Sequence, residues 1–183
     1  MGRRRKFFIV LAGIVLLLLA GLLAYVLPRH RVVHVDGTDV RRGEGTRVTN
    51  AGSPTSLVPG NDVYYLHTSN PERTDIYVFR NEDTGFGLPP YFKMDAAELQ
   101  GRAQLLARKE GQLALVTYYG WRIPVLKLFP NAVDIEAWDR AEEPWPVFNI
   151  TVLTLLAILT GGLYLKQSRW RRARAARRAQ TGA

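Results

Sequence analysis

"DAAELQGRAQLLARKEG", residues 95–111, lies between two groups of strand-like segments and reads as an amphipathic helix. Ala96, Leu99, Ala103 and Leu106 recur at helical spacing and make one apolar stripe, with Arg102, Arg108 and Lys109 off it. Asp95 stands at the N-cap position, Glu98 completes a box-like start, and Gly111 is placed to end the helix.

Upstream, "RVVHVDG" (31–37) is rich in β-branched residues and is expected to turn at Asp36-Gly37. "DVYYLHT" (62–68) and "DIYVFRN" (75–81) are apolar on both faces, as central strands are. Between Gly43 and Asn61 the composition is that of a loop, holding one short strand near Arg47 to Thr49. Downstream, "LALVTYYGW" (113–121) resembles the central strands. "AVDIEAWD" (132–139) alternates, with Val133, Ile135 and Ala137 on one face and Asp134 and Glu136 on the other. About three strands, one helix and two further strands is the order of a five-stranded OB-type barrel. The expected fold is therefore a β-rich α+β domain, a small OB-like barrel of about five strands plus one helix. A sheet with one covering helix is the alternative.

The connection into the helix, "FRNEDTGFGLPPYFKMD" (79–95), is unusual. A strand-to-helix link needs only about 2–6 residues, whereas this one runs from Asn81 to Met94. Pro89 and Pro90 restrict the backbone, and Gly85 and Gly87 permit positive φ on either side of Phe86. Arg80, Glu82, Asp83, Phe86, Tyr91 and Phe92 are the candidate binding residues, forming a pre-ordered recognition surface with the acids paired to Arg80 or Arg122. The competing reading folds the aromatics back as a cap on the barrel.

Two uncharged apolar runs flank this domain. The first, Phe7 to Leu27, has 21 residues. As a helix it would extend about 31 Å, matching a hydrocarbon core of roughly 30 Å. The second, Val147 to Leu165, has 19 residues and is less apolar, with Asn149 and three threonines. The first run is longer than the apolar region of a signal peptide and has no small-x-small site at its end, so it reads as an uncleaved anchor. Small residues share a face in each run, Gly13, Ala20 and Ala24 in one and Thr154, Ala157 and Gly161 in the other. Such faces permit close contact between the two helices, or a homo-oligomer.

The net charge of +9 suggests nucleic acid, but its distribution argues otherwise. Residues 1–6 and 166–183 carry eleven basic residues and no acid, while the middle holds 14 basic against 16 acidic residues. Basic flanks beside apolar runs are expected to stay in the cytoplasm. The resulting map is a cytoplasmic N-terminus at 1–6, membrane helices at 7–27 and 147–165, a periplasmic domain at 28–146, and a cytoplasmic tail at 166–183. Arg29, Arg31, Arg41, Arg42 and Arg47 count against that orientation, but long domains cross largely regardless of charge. The expected location is thus a bacterial inner membrane, multi-pass, with both termini cytoplasmic. Membrane lipids and another membrane or envelope protein are the expected partners.

Catalytic motifs are absent. None of the four serines lies in a G-x-S-x-G elbow, and no Walker or Rossmann pattern occurs. His30 and His34 fall in an extended context, where residues four apart are about 13 Å distant, too far to share an ion. With no cysteine, neither a metal nor a cofactor is expected. The leading reading is a binding or scaffolding module, and the alternative is an envelope-acting hydrolase using acids or His67 in a cleft.

"LPRHRVVHVDGTDV" (27–40), "RNEDTGFGLPPYFKMDAAELQ" (80–100) and "VTYYGWRIPVLKLFPNAV" (116–133) together resemble a bacterial family of membrane-anchored proteins, domain-of-unknown-function family 1523. The resemblance covers about residues 27 to 138. It implies a bacterial inner-membrane setting and supplies no activity, ligand or catalytic residue. With one N-terminal span expected of the family, the second run and basic tail read as an addition.

Overall fold

The computed structural model describes residues 3–41, 46–48, 56–58, 63–85 and 91–181. The chain divides into two units, Met1–Pro144 and Trp145–Ala183. The first opens with helix α1 (Arg3–Val26), which stops two residues before Pro28. Strand β1 (Arg29–Arg41) follows, then the short strands β2 (Thr46–Val48) and β3 (Ser56–Val58), then β4 (Val63–Ser69) and β5 (Ile76–Asn81). Helix α2 (Ala96–Ala107) separates these from β6 (Leu113–Tyr119) and β7 (Asn131–Trp138).

Five strands close into a barrel in the order β1-β4-β5-β7-β6, with β6 returning to β1. The helix falls between the third and fourth barrel strands, as expected of an OB-type order. Strand β1 serves two neighbours. Arg29 to His34 pair with β6, and His34 to Arg41 pair with β4. The register shifts between Val35 and Gly37. The expected turn at Asp36-Gly37 is therefore corrected to a bulge, which bends one long strand between two partners instead of ending it. The loop expected between Gly43 and Asn61 carries β2 paired with β3 in a separate sheet.

The core joins Val33, Leu66, Phe79, Val116, Tyr118 and Ile135 of the barrel to Leu99 and Ala103 of α2. Each large side chain buried here contributes about 1.5–3 kcal/mol. The α2 stripe seats as expected, with Ala96, Leu99 and Ala103 buried and Leu106 partly so. The cap is different. Asp95 makes no side-chain cap bond; Asp83 Oδ1 accepts from Ala96 N at 2.8 Å instead. The helix ends at Ala107, ahead of Gly111, whose φ of +74° serves the turn into β6.

The seam between β5 and β7 is thin. Its parallel pairing rests on Arg80 opposite Asn131, with Arg80 N donating to Pro130 O at 2.8 Å. A side chain extends it: Asn131 Oδ1 accepts from Glu82 N at 2.9 Å, and Asn131 Nδ2 donates to Glu82 O at 3.1 Å. The amide thus imitates another residue of strand.

The second unit is helix α3 (Val147–Thr181), which continues past Leu165 into the basic tail. Among the described residues, one helical stretch, Val147–Arg174, is long and apolar enough to cross a membrane. The apolar stretch of α1, Val10–Val26, is shorter.

Candidate functional site

The link from β5 to α2 is built as a closed neck. Thr84 N and Gly85 N both donate to Lys93 O, at 3.0 and 3.2 Å, and Lys93 N donates to Thr84 Oγ1 at 3.1 Å. Thr84 Oγ1 also donates to Tyr91 O. Gly85 takes φ +52°, which a residue with a side chain adopts at a cost. Phe86 lies outside the described residues, as do Gly87, Pro89 and Pro90.

Beyond the neck the chain alternates like a strand. Tyr91 and Lys93 turn inward, while Phe92 and Met94 are 58% and 57% exposed. A cleft of about 520 Å³ is lined by residues 91–95 and Val133.

Lys93 is not among the residues the sequence marks as candidates, yet it is buried, with Nζ donating to Asn81 Oδ1 and to Ala132 O, the latter at 2.6 Å. Asn81 is fully buried and donates to Ala96 O at 2.8 Å and to Gln100 Oε1 at 3.3 Å. Burial pushes the Lys93 ammonium down to about 8, against the opposing pull of Asp95 and Asp83. The signal was present in "YFKM": in an extended chain Lys93 shares a face with Tyr91. Its partners are carbonyl oxygens and an amide, so the cluster ties the link to the β7 seam.

The other candidates are placed as follows. Of the two acids, Glu82 pairs with Arg80 and not with Arg122, and Asp83 caps α2. Tyr91 stacks on Tyr119 with centroids 4.7 Å apart at 14°, and its hydroxyl donates to Val26 O at 2.9 Å. Burial, then Tyr119, pushes the Tyr91 phenol up to about 12.

Tyr91 belongs to an aromatic collar around the end of α1. Tyr25 meets Tyr119 and Trp121 edge-on, at 6.0 and 5.5 Å. Gly120 N donates to Tyr25 O at 2.9 Å, with Gly120 at φ +92°. A Cβ there would stand 3.6 Å from the Tyr25 ring and 3.7 Å from Pro130 Cα. Helix α1 and the barrel are therefore joined through its last turn.

The segment 121–128 projects beside this junction. Ile123 and Leu128 exchange two backbone hydrogen bonds of 3.1 Å around a 3₁₀ turn at Pro124–Leu126. Lys127 closes the turn in the left-handed region at φ +52°. Val125 is 92% exposed and Leu126 63%.

Next to it, Arg29, Arg31 and Arg122 line a cavity of about 190 Å³ together with Tyr77, Phe79 and Pro130. Arg31 lies over the Tyr77 ring, 4.1 Å from its centroid, and Arg122 lies over Phe129 at 4.9 Å. Arg29 Nη2 donates to Ala24 O at 3.0 Å. Among the described residues, none of these three arginines is in an ion pair.

A family model described as "Protein of unknown function (DUF1523)" matches residues 4–173. The chain belongs to this family. The match corrects the narrower extent expected from residues 27 to 138, because it takes in both apolar runs and part of the basic tail. The second run is thus within the DUF1523 pattern and not an addition to it. An "Uncharacterized protein" of Haemophilus influenzae (strain ATCC 51907 / DSM 11121 / KW20 / Rd) is 39% identical over 165 residues, covering 82% of this chain and 91% of the relative. No solved structure matches the chain.

Proposed function

We propose that this chain is a bacterial inner-membrane protein whose barrel stands on the periplasmic side as a binding module for another membrane or envelope protein. The observation that carries the binding reading is the alternation at 91–94. It half-buries Tyr91, buries Lys93 in the scaffold and leaves Phe92 and Met94 exposed over a cleft. An apolar pair on a stiff support is what a recognition surface needs, since little ordering remains to be done on binding. The hydrolase alternative gains no support from the polar cluster, whose groups are spent on the barrel seam.

Two experiments test this reading. For topology, a reporter active only outside the cytoplasm is expected to work when fused near residue 70 and to fail at residue 183. The reverse pattern would overturn the orientation. For binding, Phe92→Ala is expected to lower partner recovery from cross-linked membranes while costing the intact chain little melting temperature, as the side chain is 58% exposed. Tyr91→Phe should do the opposite, costing about 1 kcal/mol through the lost bond to Val26 and leaving recovery intact. Equal recovery from the Phe92→Ala chain and the parent would remove Phe92 from the site.

A further inference from the structure

We infer that Arg29, Arg31 and Arg122 form a binding site for the phosphate of an anionic phospholipid at the outer face of the membrane. This rests on the membrane reading proposed above. It goes beyond that reading by naming a ligand class and its residues.

The chemistry of the cavity selects an anion. Three arginines line it, and none is paired with a carboxylate among the described residues. Arginines held apart from acids keep their donors available, and their planar fork matches phosphate oxygens two at a time. The forks are also held in place. Arg31 rests on the Tyr77 ring, Arg122 on the Phe129 ring, and Arg29 is tied to the end of α1. Phe79 and Pro130 add apolar wall, which strengthens any charge interaction formed against it. At about 190 Å³ the cavity is smaller than the usual pocket for a drug-sized ligand, roughly 300–1,000 Å³. It suits a headgroup phosphate better than a nucleotide or an oligosaccharide.

Position selects lipid as the source of that phosphate. Arg29 follows the last residue of α1, Val26, by three positions. Trp121 approaches α1 at Gly21, within 3.9 Å of where a Cβ would stand. Gly21 lies five residues before Val26, about 7 Å lower along a helix axis. A segment that reaches this far down an apolar helix enters the interfacial layer, where tryptophan is favoured. Val125 and Leu126, exposed on the same segment, then meet acyl chains while Arg122 beside them meets a headgroup. Arg29 and Arg31, two of the five arginines that oppose the charge rule for orientation, thereby acquire a use on the outer side.

The test uses the intact chain in nanodiscs containing phosphatidylglycerol and phosphatidylcholine, with retained lipid counted by native mass spectrometry. Phosphatidylglycerol is expected to be retained preferentially. Arg31→Gln combined with Arg122→Gln should lower its retention at least about tenfold, through the loss of two charge-assisted contacts, with only a small fall in melting temperature from the two lost ring contacts. Arg31→Lys should recover only part, because it keeps the charge and loses the fork. Val125→Ser with Leu126→Ser, both at exposed positions, should lower retention in a chain whose arginines are intact. Unchanged retention in the double arginine variant overturns the site. Displacement by glycerol 3-phosphate or inorganic phosphate at concentrations matching the lipid assigns the cavity to a free anion and overturns the lipid. A carbonate wash separates the two levels of the inference. A chain washed off membranes refutes the anchoring, whereas one that stays embedded yet retains no lipid refutes only this site.

Discussion

Asn81→Ala is expected to destabilise the intact chain by about 3 kcal/mol at pH 7, among the largest losses from a single polar side chain here. Asn81 is fully buried and makes three hydrogen bonds, accepting from Lys93 Nζ and donating to Ala96 O and Gln100 Oε1. Each is worth about 1 kcal/mol net, and more where a buried group is left without a partner. Gln100 Nε2 is already buried without a hydrogen-bond partner among the described residues, so losing the bond at Oε1 leaves that buried amide still less satisfied. The lysine limits the damage. With its ammonium at about 8, shedding the proton at pH 7 costs only about 1.4 kcal/mol, which caps the electrostatic part of the loss. Removing the charge as well should therefore restore something. Asn81→Leu with Lys93→Met replaces the pair by apolar groups, and the double variant is expected to fall short of the summed single losses by about 1–2 kcal/mol. Thermal or denaturant unfolding in detergent of the parent, the singles Asn81→Leu and Lys93→Met, and the double variant closes the cycle. Strict additivity would mean that Asn81 and Lys93 do not act as a unit.

Much of the barrel is legible in residue patterns because each strand and the α2 stripe obey a local period. Leu66 is buried between an exposed His67 and a half-buried Tyr65, and Leu99 and Ala103 recur on one helix face. What escapes the pattern depends on residues far away in the chain. Asp36-Gly37 carries the composition of a turn, but its conformation is decided by β1 having both β6 and β4 as neighbours. Asp95 sits at the right place for a cap, yet the neck closed by Thr84 and Lys93 brings Asp83 to Ala96 first. Arg29, Arg31 and Arg122 stand some ninety residues apart, and only the closure of β6 on β1 puts them around one cavity. In the link, the composition around Arg80, Glu82, Asp83 and Tyr91 suggests recognition, and the structure engages all four in contacts within the scaffold. Asp83 and Phe92 are the exposed candidates among the described residues, and of the two it is Phe92 that lines the cleft.

The same lysine sets an expected pH dependence, and here the direction matters more than the size. The folded-state ammonium of Lys93 titrates at about 8 against an unfolded value of 10.5. Below pH 8 the lysine is charged in both states, and the folded chain bears the full cost of burying it. Between 8 and 10.5 the unfolded chain binds more protons, so stability rises with pH. The gain amounts to about 3 kcal/mol at most, reduced by whatever solvent reaches the group. Deprotonation does not dismantle the seam, because a neutral amine still has hydrogens for Asn81 Oδ1 and Ala132 O. Tyr91 acts in the opposite sense at higher pH. Its phenol is raised from 10.0 to about 12, so above pH 10 the unfolded chain loses a proton that the folded chain keeps. Stability then falls as pH rises through that window. The parent chain should accordingly show a stability maximum near pH 10 relative to a Lys93→Met chain, in which the rise from pH 8 is absent while the decline above 10 remains. Unfolding of both chains from pH 7 to 11 separates this lysine from every other titrating group, since those are common to the pair. A Lys93→Met chain that still gains stability between pH 8 and 10 as steeply as the parent would show that the rise belongs to another residue, and that Lys93 keeps an ordinary proton affinity within the barrel seam.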